Sequence, residues 1–193
     1  MSESERFPRL VSLACHDIRT PLATVYGFAR TLARTELGQP ADRYVEMIEA
    51  AAEQVSALVD ELSLVARIQA RTYDPTLLEV DSRELVNDAV AEFDPDTVSV
   101  SGEGGPVRVD VEPTRRALQQ LVRAARRHGG LDTVEVRVDG PEIEIGPLTE
   151  YSRPVVTGAE LRELQAAAAV ALVDALGGSV ATSDDRLTVR LPA

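Results

Sequence analysis

Apolar residues recur at alternating intervals of four and three along the first part of the chain: Phe7, Val11, Ala14, Ile18, Pro21, Val25, Phe28 and Leu32. That is the heptad seam of a helix packed against another helix. A second seam, Tyr44, Ile48, Ala51, Val55, Leu58, Leu62 and Val65, repeats the spacing. Between them, Leu37-Gly38-Gln39-Pro40 supplies the breakers of a turn. Two helices joined by so short a loop predict an antiparallel hairpin. One hairpin leaves its seam half open. A second copy is expected to close it into a dimeric four-helix bundle; the alternative is that the seams pack on the C-terminal half.

Beyond residue 73 the period changes. Strands are expected near Thr76-Val80, Val98-Ser101, Val107-Val111, Val134-Val138, Ile143-Ile145, Val180-Thr182 and Leu187-Leu191, where apolar and polar residues alternate. Helices are expected from Asp81 or Ser82 onward, from Pro113 to about His128, and from about Gly158 to Leu176, the last stopped by Gly177-Gly178. The fold class is therefore α+β, with a helical hairpin over residues 1–73 and an α/β sandwich over 74–193.

Composition narrows the function. The chain is 44% hydrophobic, enough for a core, and carries a net charge of −12. That charge disfavours binding to nucleic acid or to an anionic membrane surface. No apolar run reaches the length of a membrane span. Met1 to Pro8 is too polar for a signal peptide, and no sensor segment precedes Phe7, so a cytoplasmic protein is expected. The lone Cys15 cannot form an internal disulfide, which fits a reducing compartment, and reads as a small packing residue.

One local rule is broken. Pro21 stands inside the first helical pattern, where a proline costs about 3 kcal/mol and leaves the carbonyl of Asp17 without its helical partner. The helix is expected to bend or loosen there. His16 lies two residues from Ala14 and two from Ile18, so at about 100° per residue it points away from the seam, with Thr20 one turn on. A free imidazole is mostly unprotonated at neutral pH and therefore nucleophilic. The adjacent Asp17 carboxylate can fix its tautomer or take a proton as it attacks.

The run His16-Asp17-Ile18-Arg19-Thr20-Pro21-Leu22 resembles the phospho-acceptor box of two-component sensor histidine kinases, which lies on the first helix of a dimerisation and histidine-phosphotransfer hairpin. The resemblance implies that His16 carries the phosphoryl group, that Asp17 assists proton chemistry and that Thr20 positions water for dephosphorylation. Arg19 and Pro21 complete the box.

The order of elements after residue 73 is similar to the same family's ATP-binding domain, but its nucleotide motifs are degenerate. In the family's asparagine box, matched to Leu118 through His128, the two asparagines fall on Gln120 and Ala124. Alanine offers no oxygen to a hard cation. In the first glycine box, Glu144-Ile145-Gly146-Pro147-Leu148, the adenine-reading aspartate is replaced by Glu144 and the second glycine by Leu148. The second glycine box falls on Glu163-Leu164-Gln165-Ala166. Glu163 would put negative charge where phosphates sit. Thr149 to Thr157 is too short for the usual lid. His128 reads as a helix-terminal residue facing the helix dipole. Arg115-Arg116 and Arg126-Arg127 read as a solvated face that could also meet an acidic partner.

An intact phospho-histidine helix beside a nucleotide-blind domain implies a stand-alone dimeric histidine phosphotransferase. Such a protein exchanges a phosphoryl group between His16 and the aspartates of response-regulator receiver domains. No cofactor or metal of its own is expected, because the receiver supplies Mg2+. Two alternatives stay open: a divergent sensor histidine kinase, or a fragment of one, that autophosphorylates His16; and a binding-only scaffold that sequesters a response regulator.

Overall fold

The structure is a computed structural model that describes residues 3–32 and 40–193. Most of the expected turn, Leu37 to Gln39, lies outside the described residues, and so does the side chain of Cys15. Contacts divide the chain into two units, residues 1–63 and 64–193. The division falls inside the second helix, ahead of the 73/74 boundary suggested by the pattern. The reason is that Leu64 and Ile68, in the last turns of that helix, belong to the apolar core of the α/β unit.

The first unit is a helical hairpin. Helix α1 runs Glu3–Leu32 and α2 runs Pro40–Gln69. Helix α1 continues through Pro21 without interruption. Its heptad side is turned inward: Ala14 is fully buried, Pro21 is buried, and Val11, Ile18, Val25 and Phe28 are half-buried. From α2, Ala51 and Leu58 are buried. The rings of Phe28 and Tyr44 stack with centroids 5.5 Å apart, which sets the end of α1 beside the start of α2. Phe7, the first expected seam residue, is instead exposed, and Leu10 is buried.

The second unit is a two-layer sandwich. Its strands are β1 Leu77–Asp81, β2 Val98–Gly104, β3 Pro106–Asp110, β4 Val134–Gly140, β5 Glu142–Gly146, β6 Ser179–Ser183 and β7 Arg186–Arg190. Five form a sheet in the order β2-β4-β5-β7-β6. The β2–β4 pair is parallel and the remaining pairs are antiparallel. Strands β1 and β3 form a separate antiparallel pair. Val134, Val136, Val138, Ile143, Ile145, Leu187 and Val189 alternate toward the core and are at most 1% exposed. The alternate residues form a polar face. On it Arg186 bonds Glu135 at 2.7 Å and Ser101 donates to the same carboxylate at 3.2 Å. Those two bonds hold Glu135 below the usual carboxylate range.

Helices α3 (Ser82–Val90), α4 (Val111–Gly129) and α6 (Leu164–Ala175) supply the other layer, with the short α5 at Arg153–Val156. Asp81 starts α3 by accepting the N–H groups of Arg83 and Glu84 at 2.8 and 3.2 Å. Leu118, Leu121, Val122 and Ala125 of α4 are buried, each large side chain worth about 1.5–3 kcal/mol. Gly130 ends α4 in the left-handed region at φ 60°, returning its N–H to the carbonyls of Arg126 and Arg127. The single helix expected from Gly158 to Leu176 is a misreading. Gly158 has φ 68° and follows α5, and Glu163 is extended, so α6 begins only at Leu164. Helical periodicity alone cannot see that break, because the intervening residues are compatible with either state.

Among the described residues no helix is long and apolar enough to cross a membrane.

Tyr73 donates to Asp110 Oδ2 at 2.8 Å, and the guanidinium of Arg67 lies 5.7 Å from its ring. Burial, then the bond to Asp110, pushes the phenol well above the ordinary tyrosine range. Folding thus favours the neutral phenol. That contribution is complete below the ordinary tyrosine pKa of about 10 and is lost as pH rises through the raised value. Tyr73→Phe keeps the ring and removes the titration. Its urea-unfolding midpoint is expected to fall less steeply above about pH 10 than that of the unsubstituted chain; parallel alkaline profiles would contradict this.

Candidate functional site

His16 sits mid-way along α1, off the heptad side, with its side chain 74% exposed. Its Nδ1 lies 3.1 Å from Asp17 Oδ1, and Asp17 itself is 24% exposed. With the proton on Nδ1, that bond fixes the tautomer and leaves the Nε2 lone pair free for an electrophile. Asp17 is sequence-adjacent, so helix geometry alone delivers the pair. Arg19 and Thr20 are exposed on the same stretch, while Pro21 is turned inward. Thr20 also accepts the Thr24 hydroxyl on its backbone carbonyl, at 3.2 Å. Pro21 cannot donate to the carbonyl of Asp17, so the turn that carries His16 lacks one helical bond. The box is therefore one exposed face of a helix whose other side is buried.

The positions matched to a nucleotide site lie in the second unit, and the structure separates them into two groups. Ala124 (0% exposed) and Leu148 (6%) are part of one apolar cluster with Val155, Val156 and Ala166. The segment from Thr149 to Thr157 is no free lid: it contains α5, and the Ser152 hydroxyl, which accepts the Thr149 N–H at 3.0 Å, is fully buried. Gln120 is 7% exposed and its Oε1 has no hydrogen-bond partner among the described residues. Glu144 stands apart from this group. It lies on β5 between Ile143 and Ile145, which face the core, so strand alternation puts it on the opposite side of the sheet. Among the described residues no group of three or more His, Cys, Asp or Glu stands close enough to hold a metal.

The contact that sequence reasoning missed is His128 with Glu163. Glu163 precedes α6, and its carboxylate is 8% exposed. His128, in the last turn of α4, meets it at 2.7 Å through Nε2, and Arg127 approaches at 3.8 Å. The acid expected to repel phosphate thus has a partner inside the protein and joins the ends of two helices. The two residues are 35 positions apart, and nothing local in the sequence marks them as neighbours. His128→Ala strands a nearly buried carboxylate and is expected to cost about 1–3 kcal/mol of stability. Glu163→Gln, which keeps an acceptor, should cost less. Urea denaturation of both variants checks this, and equal losses would argue against the pairing.

Residues 9–71 match the family model of the His Kinase A (phospho-acceptor) domain. Histidine protein kinase DivJ of Caulobacter vibrioides is 30% identical over 121 residues, which are 59% of this chain and 20% of that protein. The chain thus spans about a fifth of the length of that curated relative. Among solved structures, Acinetobacter baumannii histidine kinase AdeS is similar with a TM-score of 0.67 at 16% identity, covering 92% of this chain and 97% of that one. A chain described as a bacterial phosphotransferase has a TM-score of 0.50 at 20% identity, covering 98% and 96% respectively. At those identities the structural likeness is one of fold. The hairpin with the box on α1 thus matches the His Kinase A (phospho-acceptor) domain model, and the sandwich that follows shares the fold of solved histidine kinase structures.

Proposed function

We propose that the chain is a histidine phosphotransferase of a two-component phosphorelay, working without ATP. His16 accepts a phosphoryl group from an aspartyl phosphate on a response-regulator receiver domain and returns it to the aspartate of another receiver. The observation that carries this reading is a contrast. The His16–Asp17 pair is intact and His16 is exposed, whereas Ala124 and Leu148 are apolar and buried and Glu163 is bound by His128, at the positions that the resemblance matches to a kinase's metal and phosphate contacts. The solved phosphotransferase of similar fold and matching extent supports the same direction.

In the forward step Nε2 of His16 attacks phosphorus. The N–P bond forms, the P–O bond to the receiver's carboxylate breaks, and that carboxylate leaves as the anion. The proton stays on Nδ1, where Asp17 offsets the positive charge that develops on the ring. Phosphoryl transfer proceeds through a loose transition state, so in-line positioning and charge neutralisation supply most of the catalysis. Mg2+ comes with the receiver. Thr20, exposed beside the box, is the group assigned to positioning water in the reverse, hydrolytic direction. The active form is a homodimer. Leu22, Tyr26, Val45, Met47 and Val59 are exposed apolar side chains on the hairpin, a surface suited to a second copy.

The 30% identity to a histidine protein kinase favours a second reading, in which the chain autophosphorylates His16 from ATP. One experiment separates the two. Incubated with a phosphorylated receiver, the full chain is expected to acquire label that His16→Gln abolishes. Asp17→Asn, which removes the charge that offsets the developing imidazolium, should slow transfer by about a hundredfold or more, the usual cost of losing one charge-stabilising group. Radiolabelled ATP alone should leave no label. Label from ATP would establish the kinase reading, and no label from either donor would defeat both.

A further inference from the structure

The outer side of α4 carries a cavity that the phosphotransfer reading does not use. It has a volume of about 540 Å³, and its lining includes Phe93, Arg123, Arg126, Arg127, Leu131 and Asp132. Three arginines and one aspartate therefore share the lining, on a chain whose net charge is −12. The Arg123 guanidinium lies 5.7 Å from the Phe93 ring centroid, a cation–π arrangement. Arg123 is 3.9 Å from Glu92, and Arg127 is 3.8 Å from Glu163, both too long for hydrogen bonds. Glu163 is already bonded to His128. Arg126 is half-buried and has no ion pair among the described residues.

We infer that this pocket docks an acidic segment of a partner protein. Its walls exclude a small ligand as the better occupant: the side chains of Arg123 and Arg127 are 44% and 71% exposed, whereas a small-molecule site buries most of its ligand. Arginine beside aromatic and apolar floor residues is the composition of a protein interface centre. Carboxylates on a protruding loop or helix would each take paired N–H donors from a guanidinium fork. Leu131 and Phe93 would cover an apolar side chain between them. Charge complementarity sets the partner's class, and the protein's own acidity makes this basic patch selective against its remaining surface.

The probe is a synthetic peptide of alternating glutamate and leucine, titrated into the 15N-labelled full chain. The Nε–H resonances of Arg123, Arg126 and Arg127 are expected to shift together and to saturate. Arg126→Ala and Arg127→Ala should each weaken binding by about tenfold, and added salt should weaken it further. Thermal melting checks that both variants fold. Equal shifts at Arg115 and Arg116, or binding unaffected by Arg126→Ala, would overturn the assignment. So would the same response to a serine–leucine peptide. Saturation of these resonances by inorganic phosphate alone would make it a small-anion site. Shifts that grow with protein concentration without peptide would make a second copy the occupant.

Discussion

Helix α1 has one apolar side, and burying it decides where the chemistry can stand. Ala14 and Pro21 face inward with the half-buried Val11, Ile18, Val25 and Phe28. A residue two positions from Ala14 and two from Ile18 has no route into that seam, so His16 meets solvent. The same helical step puts Asp17 against its Nδ1. The exposed imidazole is therefore held on a helix, by packing on the far side of that helix, and needs no loop to present it.

The second unit solves a different problem with similar means. Its helical layer packs Leu118, Leu121 and Val122 of α4, with Leu172 and Val173 of α6, over the inward face of the five-stranded sheet. Ala124, Leu148 and Ala166 join that core. Apolar side chains at these positions add to the packing of the core. The one charge that remains there, Glu163, is satisfied by His128.

Much of this was legible in the chain itself. The heptad seams located both long helices, because a 3.6-residue period over thirty residues has no competing explanation. The strands were legible from alternation, and observed β5 (Glu142–Gly146) contains the expected Ile143-Ile145. The last long helix was misjudged: alanine and leucine suggest helix, but Gly158 in the left-handed region and an extended Glu163 divide it. Phe7 likewise fitted the seam by spacing and is exposed near the helix start, with Leu10 buried instead.

The sequence by itself determined the His16–Asp17 pair, its exposed side of α1, and the apolar identity of Ala124 and Leu148. Each of these depends only on residue identity and on separations within one helix or one strand, which backbone geometry converts directly into position. Only the tertiary structure decided that His128 meets Glu163, that Glu144 faces away from the core, and that Phe93 and three arginines line one cavity. Those outcomes depend on which helix ends and strand faces come together, a long-range result of packing that no local period encodes.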